Sequence, residues 1–539
     1  MRGLMGERPL LVTACLQHAA NYHSDTEIVS RSVEGPIHRY TYAEAERNAR
    51  RLARALTGLG VEPGDRVGTL AWNTWRHFEL YYGISGIGAV CHTINPRLFD
   101  EQLVYIVNHA QDRILFTDTS FVPLVERLLP QFPKDIRIVL LGEAETSLPV
   151  IATYDELVAG ESDTFVWPEF DERNASALCY TSGTTGKPKG VLYSHRSTVL
   201  HALGSSLPGG ISLTAGDVVC PVVPLFHACG WGTPYSAPIT GAKLVYPGPK
   251  LDGESLHELF EAEGVTVGLG VPTVWLGFDA YLREHNTTCK TMKWVLCGGS
   301  AVPRSLMQVF EARGIAIIHG WGMTEMSPLG TTAALKAKHA ELDDDAQVEI
   351  KLTQGRPVFG VEMKLVDEQG ATLPHDGQAV GELLVRGPWI ASGYFNDEEA
   401  TKAAVEPDGW FHTGDVASID PDGYVRLTDR RKDVIKSGGE WISSIDLENA
   451  AMADETVAEA AVIAIPHEKW TERPLLVVVP RAGRTPERDK LIALLGRQFP
   501  KWMLPDDVVV LDELPHTATG KIMKTKLREM FAEHQVAER

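Results

Sequence analysis

Tyr180-Thr-Ser-Gly-Thr-Thr-Gly-Lys-Pro-Lys-Gly190 offers hydroxyls, backbone amides and two ammonium groups with hardly any apolar bulk. Such a segment suits a polyphosphate, because main-chain N–H groups can close on phosphate oxygens and glycines reach dihedrals closed to other residues. Lys187 and Lys189 offset the charge. The P-loop of ordinary nucleotidases, Gly, four residues, then Gly-Lys-Ser/Thr, does not fit. Thr181 stands where its first glycine belongs, and Pro188 where its hydroxyl should follow. The next residues, 190–194, read as a short strand, so the loop joins strand to strand. A flexible linker is the ordinary reading of Gly/Ser/Thr text. The two lysines and the apolar run 177–180 argue against it here.

Around this loop lie 539 residues, too many for a single typical core, so at least two domains are expected. A net charge of −20 argues against a nucleic-acid or anionic-membrane binder. Residues 431–539 are nearly neutral, with 16 Lys and Arg against 18 Asp and Glu, so a second phosphate-bearing ligand docks there more easily. Seven cysteines, odd in number and scattered, form neither a disulfide framework nor zinc-ligand spacing, which points to a reducing compartment. Residues 10–16 are too short an apolar run for a spanning helix or a signal, and the C-terminus carries no targeting tail. A soluble cytoplasmic protein without a membrane span is expected, with room for a homodimer.

From Thr41 the text reads as a helix: a capping box at Thr41 and Glu44, an apolar stripe at Ala45, Ala49, Leu52, Leu56 and Leu59, and stop signals at Gly58 and Gly60. A strand follows at 67–71. Strands at 138–141, 243–246 and 294–296, each beside a helical pattern, predict an α/β protein with largely parallel sheets. Past Gly355 the texture turns to short strands broken by Asp-Gly turns, as in a small β-barrel or meander. Strands at 460–465 and 475–479 and a helix at 488–498 predict a compact α+β unit at the end.

Six further segments stand in order: Pro224-Leu-Phe-His227, Gly320-Trp-Gly-Met-Thr-Glu325, Gly409-Trp-Phe-His-Thr-Gly-Asp415, Asp429-Arg-Arg-Lys-Asp433, Lys436-Ser-Gly-Gly-Glu-Trp441 and Pro515-His-Thr-Ala-Thr-Gly-Lys521. With the loop at 180–190, they make the sequence resemble the adenylate-forming superfamily of acyl-CoA synthetases, luciferases and peptide-synthetase adenylation domains, over most of its length. The resemblance implies a large N-terminal domain, 1–430, of parallel α/β sheets and a small β-barrel, and a small mobile α+β domain, 431–539, hinged near Lys432.

It also implies ATP, Mg2+ and CoA as ligands and assigns roles by position. Thr181, Ser182, Gly183, Thr184, Thr185, Gly186, Lys187 and Lys189 would hold the β- and γ-phosphates. Trp321, Gly322, Met323 and Thr324 would line the nucleotide, Trp321 at the adenine-stacking position usually held by Tyr, and Glu325 with Thr184 would bind the metal. Asp415 would accept the ribose hydroxyls, with Arg430 nearby. Lys521 would bridge carboxylate and α-phosphate, stabilising charge that develops in the transition state. Gly438, Gly439 and Trp441 would wall the CoA tunnel once the C-terminal domain has rotated.

His227, counted with Lys521, Thr324 and Glu325 in the catalytic set, also belongs to the acyl pocket, where a histidine in place of the peptide-synthetase aspartate points to a substrate without an amino group. Trp231 resembles the gate of fatty acyl-CoA synthetases, and Gly298 and Gly299 a small-residue wall. Gly322 leaves open a site that acetate-specific relatives fill with Trp. Taken alone, several of these residues have plainer readings. Lys521 is one more lysine in a basic tail, Thr324-Glu325 a helix start, Trp321 a core residue and Trp231 a buried packing contact.

The expected activity is AMP-forming acyl-CoA ligation of a small carboxylate through an acyl-adenylate. In texture the chain is similar to medium-chain acyl-CoA synthetases and bacterial 3-methylmercaptopropionate-CoA ligases, so butyrate-sized or thioether acids are the expected substrates. A luciferase shares every motif quoted, and a non-catalytic nucleotide sensor could use the same fold, although such a sensor should have lost Lys521 or Glu325. A peptide-synthetase module would need a carrier domain after Lys521.

Overall fold

The computed structural model describes the chain except residues 2, 182–186, 431, 438–439, 468–469, 517–521, 533 and 535–539, and the side chains of 440 and 441. Ser182, Gly183, Thr184, Thr185, Gly186, Gly438, Gly439 and Lys521 therefore lie outside the described residues, as does the side chain of Trp441.

The capping box at Thr41 forms as expected and starts the helix Tyr42–Gly58, which buries Ala45, Ala49, Leu52 and Leu56. This helix packs on Trp75–Ser85, and Gly83 lets them approach, since a Cβ there would meet Leu52 Cδ2 at 2.5 Å. The two helices flank a seven-stranded sheet in the order Val150–Thr153, Arg137–Leu140, Ile114–Thr117, Arg66–Leu70, Val90–Thr93, Ala175–Tyr180 and Gly190–Ser194. All neighbours are parallel except the last pair, the hairpin that carries the phosphate-type loop.

A nine-stranded sheet packs beside it. Its parallel centre runs Ala316–Gly322, Trp294–Gly298, Val267–Gly270, Val218–Pro221, Lys243–Tyr246 and Glu27–Arg31, with antiparallel strands at both edges. These strands are buried along nearly their whole length, as parallel strands covered on both faces must be. The barrel-or-meander expectation past Gly355 takes the form of a five-stranded antiparallel sheet built from 362–366, 372–373, 381–386, 411–419 and 425–430.

The C-terminal unit is separate. Its main hairpin, Val457–His467 with Thr471–Pro480, sorts alternate residues to opposite faces. Ala460, Val462, Leu476 and Val478 enter one apolar cluster, while Ala461, Ile463, Leu475 and Val477 enter another. Both clusters draw only on residues from 435 onward. Among the described residues no helix is long and apolar enough to cross a membrane.

Candidate active site

The strand–loop–strand reading of 180–190 holds at both of its described ends. Thr181 N donates to Lys189 O (2.9 Å), and Lys189 N to Thr181 Oγ1 (3.1 Å), closing the base of the loop. Its two described lysines rest on aromatic faces, Lys187 Nζ 5.0 Å from the Tyr105 ring centre and Lys189 Nζ 4.8 Å from that of Tyr394. Cation–π contacts of this kind hold an ammonium group without neutralising it.

Thr181, Lys187 and Lys189 line one end of a cavity of about 790 Å³. The same cavity is lined by His227, Trp231, Gly298, Gly299, Trp321, Gly322, Met323, Thr324, Glu325, Arg430 and Lys432, so the structure gathers these predicted residues from distant stretches of chain. Ile522, which follows Lys521 in the sequence, lines it too.

Thr324 and Glu325 do not start an α-helix. They lie in a three-residue 3-10 turn, Thr324–Met326, ended by Ser327 at φ +67° and Pro328. The plainer reading of this pair as a helix start therefore does not hold. Both are buried. Tyr193 Oη donates to Thr324 O (2.5 Å), and Tyr394 Oη to Glu325 Oε1 (2.7 Å). Burial, followed by the charge of Glu325, raises the Tyr394 phenol, so it remains a donor.

Tyr394 was not among the residues singled out in the sequence, because Gly393-Tyr394-Phe395 reads as turn text. Its neighbours make the connection: Ala391 N donates to Glu325 O and Phe395 N to Gly190 O, both at 2.8 Å. The segment 391–395 thus ties the acid to the exit of the phosphate-type loop. The only available signal was the pair of aromatics inside an otherwise polar stretch.

Asp415 is 2% exposed. Trp321 Nε1 donates to its Oδ2 (3.2 Å), and Arg430 Nε pairs with its Oδ1 (2.7 Å). That charge raises the Arg430 guanidinium above its ordinary value. Trp321 packs in the main core, as its plainer reading has it, and also borders the cavity. Its N–H orients the carboxylate, which a Tyr at this position would approach differently.

The cavity also has an apolar lining, with Val222, Val223, Phe226, Val271, Leu296 and Trp231. Trp231 is half-buried and sits in an unexpected backbone. Ala228, Cys229, Gly230, Trp231 and Gly232 all have positive φ, between 36° and 76°, which makes one left-handed turn. For the three non-glycine residues this costs on the order of 1–2 kcal/mol each. Its glycines are obligatory: a Cβ on Gly230 would meet Leu225 Cδ2 at 2.5 Å, and one on Gly232 would meet His201 Cε1 at 2.7 Å. The Trp231 ring lies against the glycine wall, 3.5 Å from a Cβ built on Gly298 and 4.0 Å from one on Gly299.

Gly322 borders the cavity, but its hydrogen atoms do not all face open space. A Cβ there would lie 1.8 Å from Pro328 O and 2.8 Å from Pro328 C. On this backbone a tryptophan at 322 has no room, so the simple picture of an open slot awaiting a plug is corrected: the glycine is required by the close return of the chain at 328–330.

Oxygen donors such as Glu325 and a threonine hydroxyl suit Mg2+. Among the described residues no group of three or more His, Cys, Asp or Glu could hold a metal. A magnesium ion at Glu325 would then complete its shell from phosphate oxygens and water, which is its usual habit.

Comparison with known proteins agrees with this geometry. The chain is 51% identical, over 98% of its length and 99% of the relative's, to a 3-methylmercaptopropionyl-CoA ligase of Ruegeria lacuscaerulensis. It is 45% identical, over 99% of its length and 98% of the relative's, to a medium-chain-fatty-acid–CoA ligase of Ectopseudomonas oleovorans. In fold it matches the anthranilate CoA ligase AuaEII in complex with anthranoyl-AMP, with a TM-score of 0.85, 24% identity, and coverage of 97% of this chain and 98% of that one. The AMP-binding enzyme family matches residues 16–395 and its C-terminal domain residues 446–521; with Thr181, Lys187, Lys189, Glu325 and Arg430 around one cavity, the chain belongs to this family of adenylate-forming enzymes.

Proposed function

We propose that the protein is an AMP-forming acyl-CoA ligase, which joins a carboxylate to ATP with release of pyrophosphate and then passes the acyl group to CoA with release of AMP. The observation that carries this reading is that one cavity is lined by the loop lysines, Trp321, Arg430 and Trp231 together with apolar side chains. The names of the relatives at 51% and 45% identity, both CoA ligases, support it.

A carboxylate is a poor acyl donor because its leaving group would be oxide. In the first half reaction a carboxylate oxygen attacks the α-phosphorus, and the bond to the bridging oxygen breaks as pyrophosphate departs. Lys187 and Lys189 would meet the outer phosphates. Asp415, aligned by Trp321 and Arg430, would accept the ribose hydroxyls. Glu325, with Thr184, would hold Mg2+, whose charge offsets that of the triphosphate when bound. Lys521 is assigned the charge that builds between carboxylate and α-phosphate. His227, which lines the cavity, would orient the reacting carboxylate.

In the second half reaction the CoA sulfur attacks the acyl carbon, the bond to the phosphate oxygen breaks, and AMP leaves with the electron pair. Here the C-terminal domain, 431–539, would turn about Lys432 so that Gly438, Gly439 and Trp441 face the pantetheine arm. The near-neutral charge of that domain favours the approach of CoA.

The substrate is 3-methylmercaptopropionate or a short- to medium-chain fatty acid. A thioether is close to a methylene in size and apolarity, so a wall of valines, leucine and phenylalanine selects for length rather than for sulfur. The seven cysteines are all free and buried, which supports a reducing, cytoplasmic setting. A homodimer fits this reading, and nucleic acid has no place in it.

The test is pyrophosphate release and CoA-dependent AMP formation across linear, branched, aromatic and thioether acids. Turnover that peaks at butyrate-sized and methylmercaptopropionate chains supports the assignment. No pyrophosphate with any acid would return the protein to the nucleotide-sensor class.

A further inference from the structure

A chain of buried polar contacts crosses from the last strand before Lys432 to the helix that follows Lys521. Asp429, on Val425–Arg430, is 2% exposed. Its Oδ2 accepts from Ser444 N (2.9 Å) and from the Ser444 hydroxyl. One residue earlier, Ser443 Oγ donates to Thr428 O (2.6 Å) and also caps the helix Ser444–Ala451. Lys524 continues the chain, donating to the Ser444 hydroxyl and pairing with Glu448 Oε1 at 2.7 Å. Burial alone would lower Lys524, yet Glu448 and Asp429 outweigh it and hold the group above its ordinary value. Lys524 opens the helix Lys524–Met530, and Ile522 just before it borders the cavity.

Buried carboxylates and ammonium groups are expensive unless paired. Asp429 lies on the N-terminal side of Lys432 and its partners on the C-terminal side, so a large rotation at Lys432 separates them. The cluster is therefore complete in one relative placement of the two domains, the one that brings Ile522 to the cavity. We infer that Asp429 is a positioning residue for the adenylation half reaction: through Ser444 and Lys524 it holds Ile522 and the helix Lys524–Met530 at the cavity, and it takes no part in thioester formation. This inference rests on the proposed assignment of Lys521 to the first half reaction.

The experiment compares Asp429→Ala, Ser444→Ala and Lys521→Ala in the full-length enzyme. Pyrophosphate release with acid and ATP reads the first half reaction, and thioester formation from supplied acyl-adenylate and CoA reads the second. Loss of a charge-assisted hydrogen bond predicts a fall of about 10- to 100-fold in the first for Asp429→Ala. Ser444→Ala, which keeps the backbone donor to Asp429, should show a smaller fall, and the second half reaction should be unchanged or faster in both.

Equal loss in the two half reactions, or no loss in either, overturns the inference. If Asp429→Ala proves too unstable to assay, the unequal effect is required of Ser444→Ala, and its absence there is equally decisive. Loss of adenylation in Lys521→Ala without a selective effect at Asp429 would sink the clamp and leave the Lys521 assignment standing. A selective effect at Asp429 with normal adenylation in Lys521→Ala would do the reverse.

Discussion

Replacing Gly322 with alanine should destabilise the fold without reshaping the acyl pocket. The added Cβ would lie 1.8 Å from Pro328 O and 3.2 Å from Gly330 N, both backbone atoms that cannot swing aside as a side-chain tip can. To restore ordinary contact the strands 316–322 and 329–332 must part locally, at the place where their register already slips between Trp321 and Gly322. The hydrogen bond from Met323 N to Pro328 O (3.1 Å) would stretch with them. Overpacking of this kind costs about 1–3 kcal/mol, and more where only backbone can yield. The expected result is a melting transition lowered by several degrees, with kcat/KM falling by a similar factor for acetate, butyrate and methylmercaptopropionate. Thermal melts and kcat/KM for the three acids, with ATP binding measured separately because Trp321 is adjacent, make the check. An unchanged melt together with a profile shifted toward acetate would refute the reasoning and restore Gly322 as the floor of the pocket.

Shortening the pocket should instead succeed at Val271, whose side chain lies 3.2 Å from a Cβ built on Gly299: Val271→Phe should lower butyrate and the thioether acid together, by roughly 10- to 200-fold relative to acetate for each methylene excluded, and sparing of the thioether alone would contradict this. Tyr394→Phe keeps the ring beneath Lys189 but removes the donor to Glu325 (2.7 Å), so pyrophosphate release should fall about 10-fold or more and the Mg2+ requirement should rise, with Tyr394→Leu worse; a wild-type rate in Tyr394→Phe would dismiss the hydrogen bond, and equal rates in the two variants the ring contact. Glu79 is fully buried, and burial pushes its carboxyl up to about 8 although Tyr154 and Asn48 donate to it. Its proton is therefore held more tightly in the folded than in the unfolded chain, so its contribution to stability is full at low pH and declines as pH rises from about 4.5 towards 8, by up to ~1.4 kcal/mol per unit; urea midpoints of Glu79→Gln should lose that slope, and an unchanged slope would exclude this group as its source.

Local signals in the sequence carried the elements, and long-range returns of the chain carried most of what was missed. The helix at 42–58 was legible because its cap, its stripe and its stop lie within one short window. The hairpin around 180–190 was legible because its chemistry is concentrated in eleven residues. The 3-10 turn at Thr324 was mistaken for a helix start, although Pro328 stood four residues on and disfavours continuation. Nothing local marks Tyr394 as the partner of an acid 69 residues earlier, or Ala228 and Cys229 as left-handed, since neither is a residue that favours positive φ. Gly322 was read for the space it leaves, whereas the close approach of Pro328 is visible only once the chain has folded back.

The separate apolar clusters on the two faces of the C-terminal sheet bear on how the enzyme can cycle. Because that unit keeps its own oily interior, a swing about the hinge need not expose core to water. What would part is polar: the buried link from Asp429 to Ser444, the contact of Ser443 with Thr428, and the exposed pair Lys436–Glu368 at 3.2 Å. Water can replace the exposed pair at little net loss, since ion pairs of this type contribute about 1 kcal/mol or less, which leaves the buried link at Asp429 as the contact that holds this placement. The proposed domain alternation would on these terms need no exposure of core, and the energy of ATP would be left to the phosphoanhydride exchange itself.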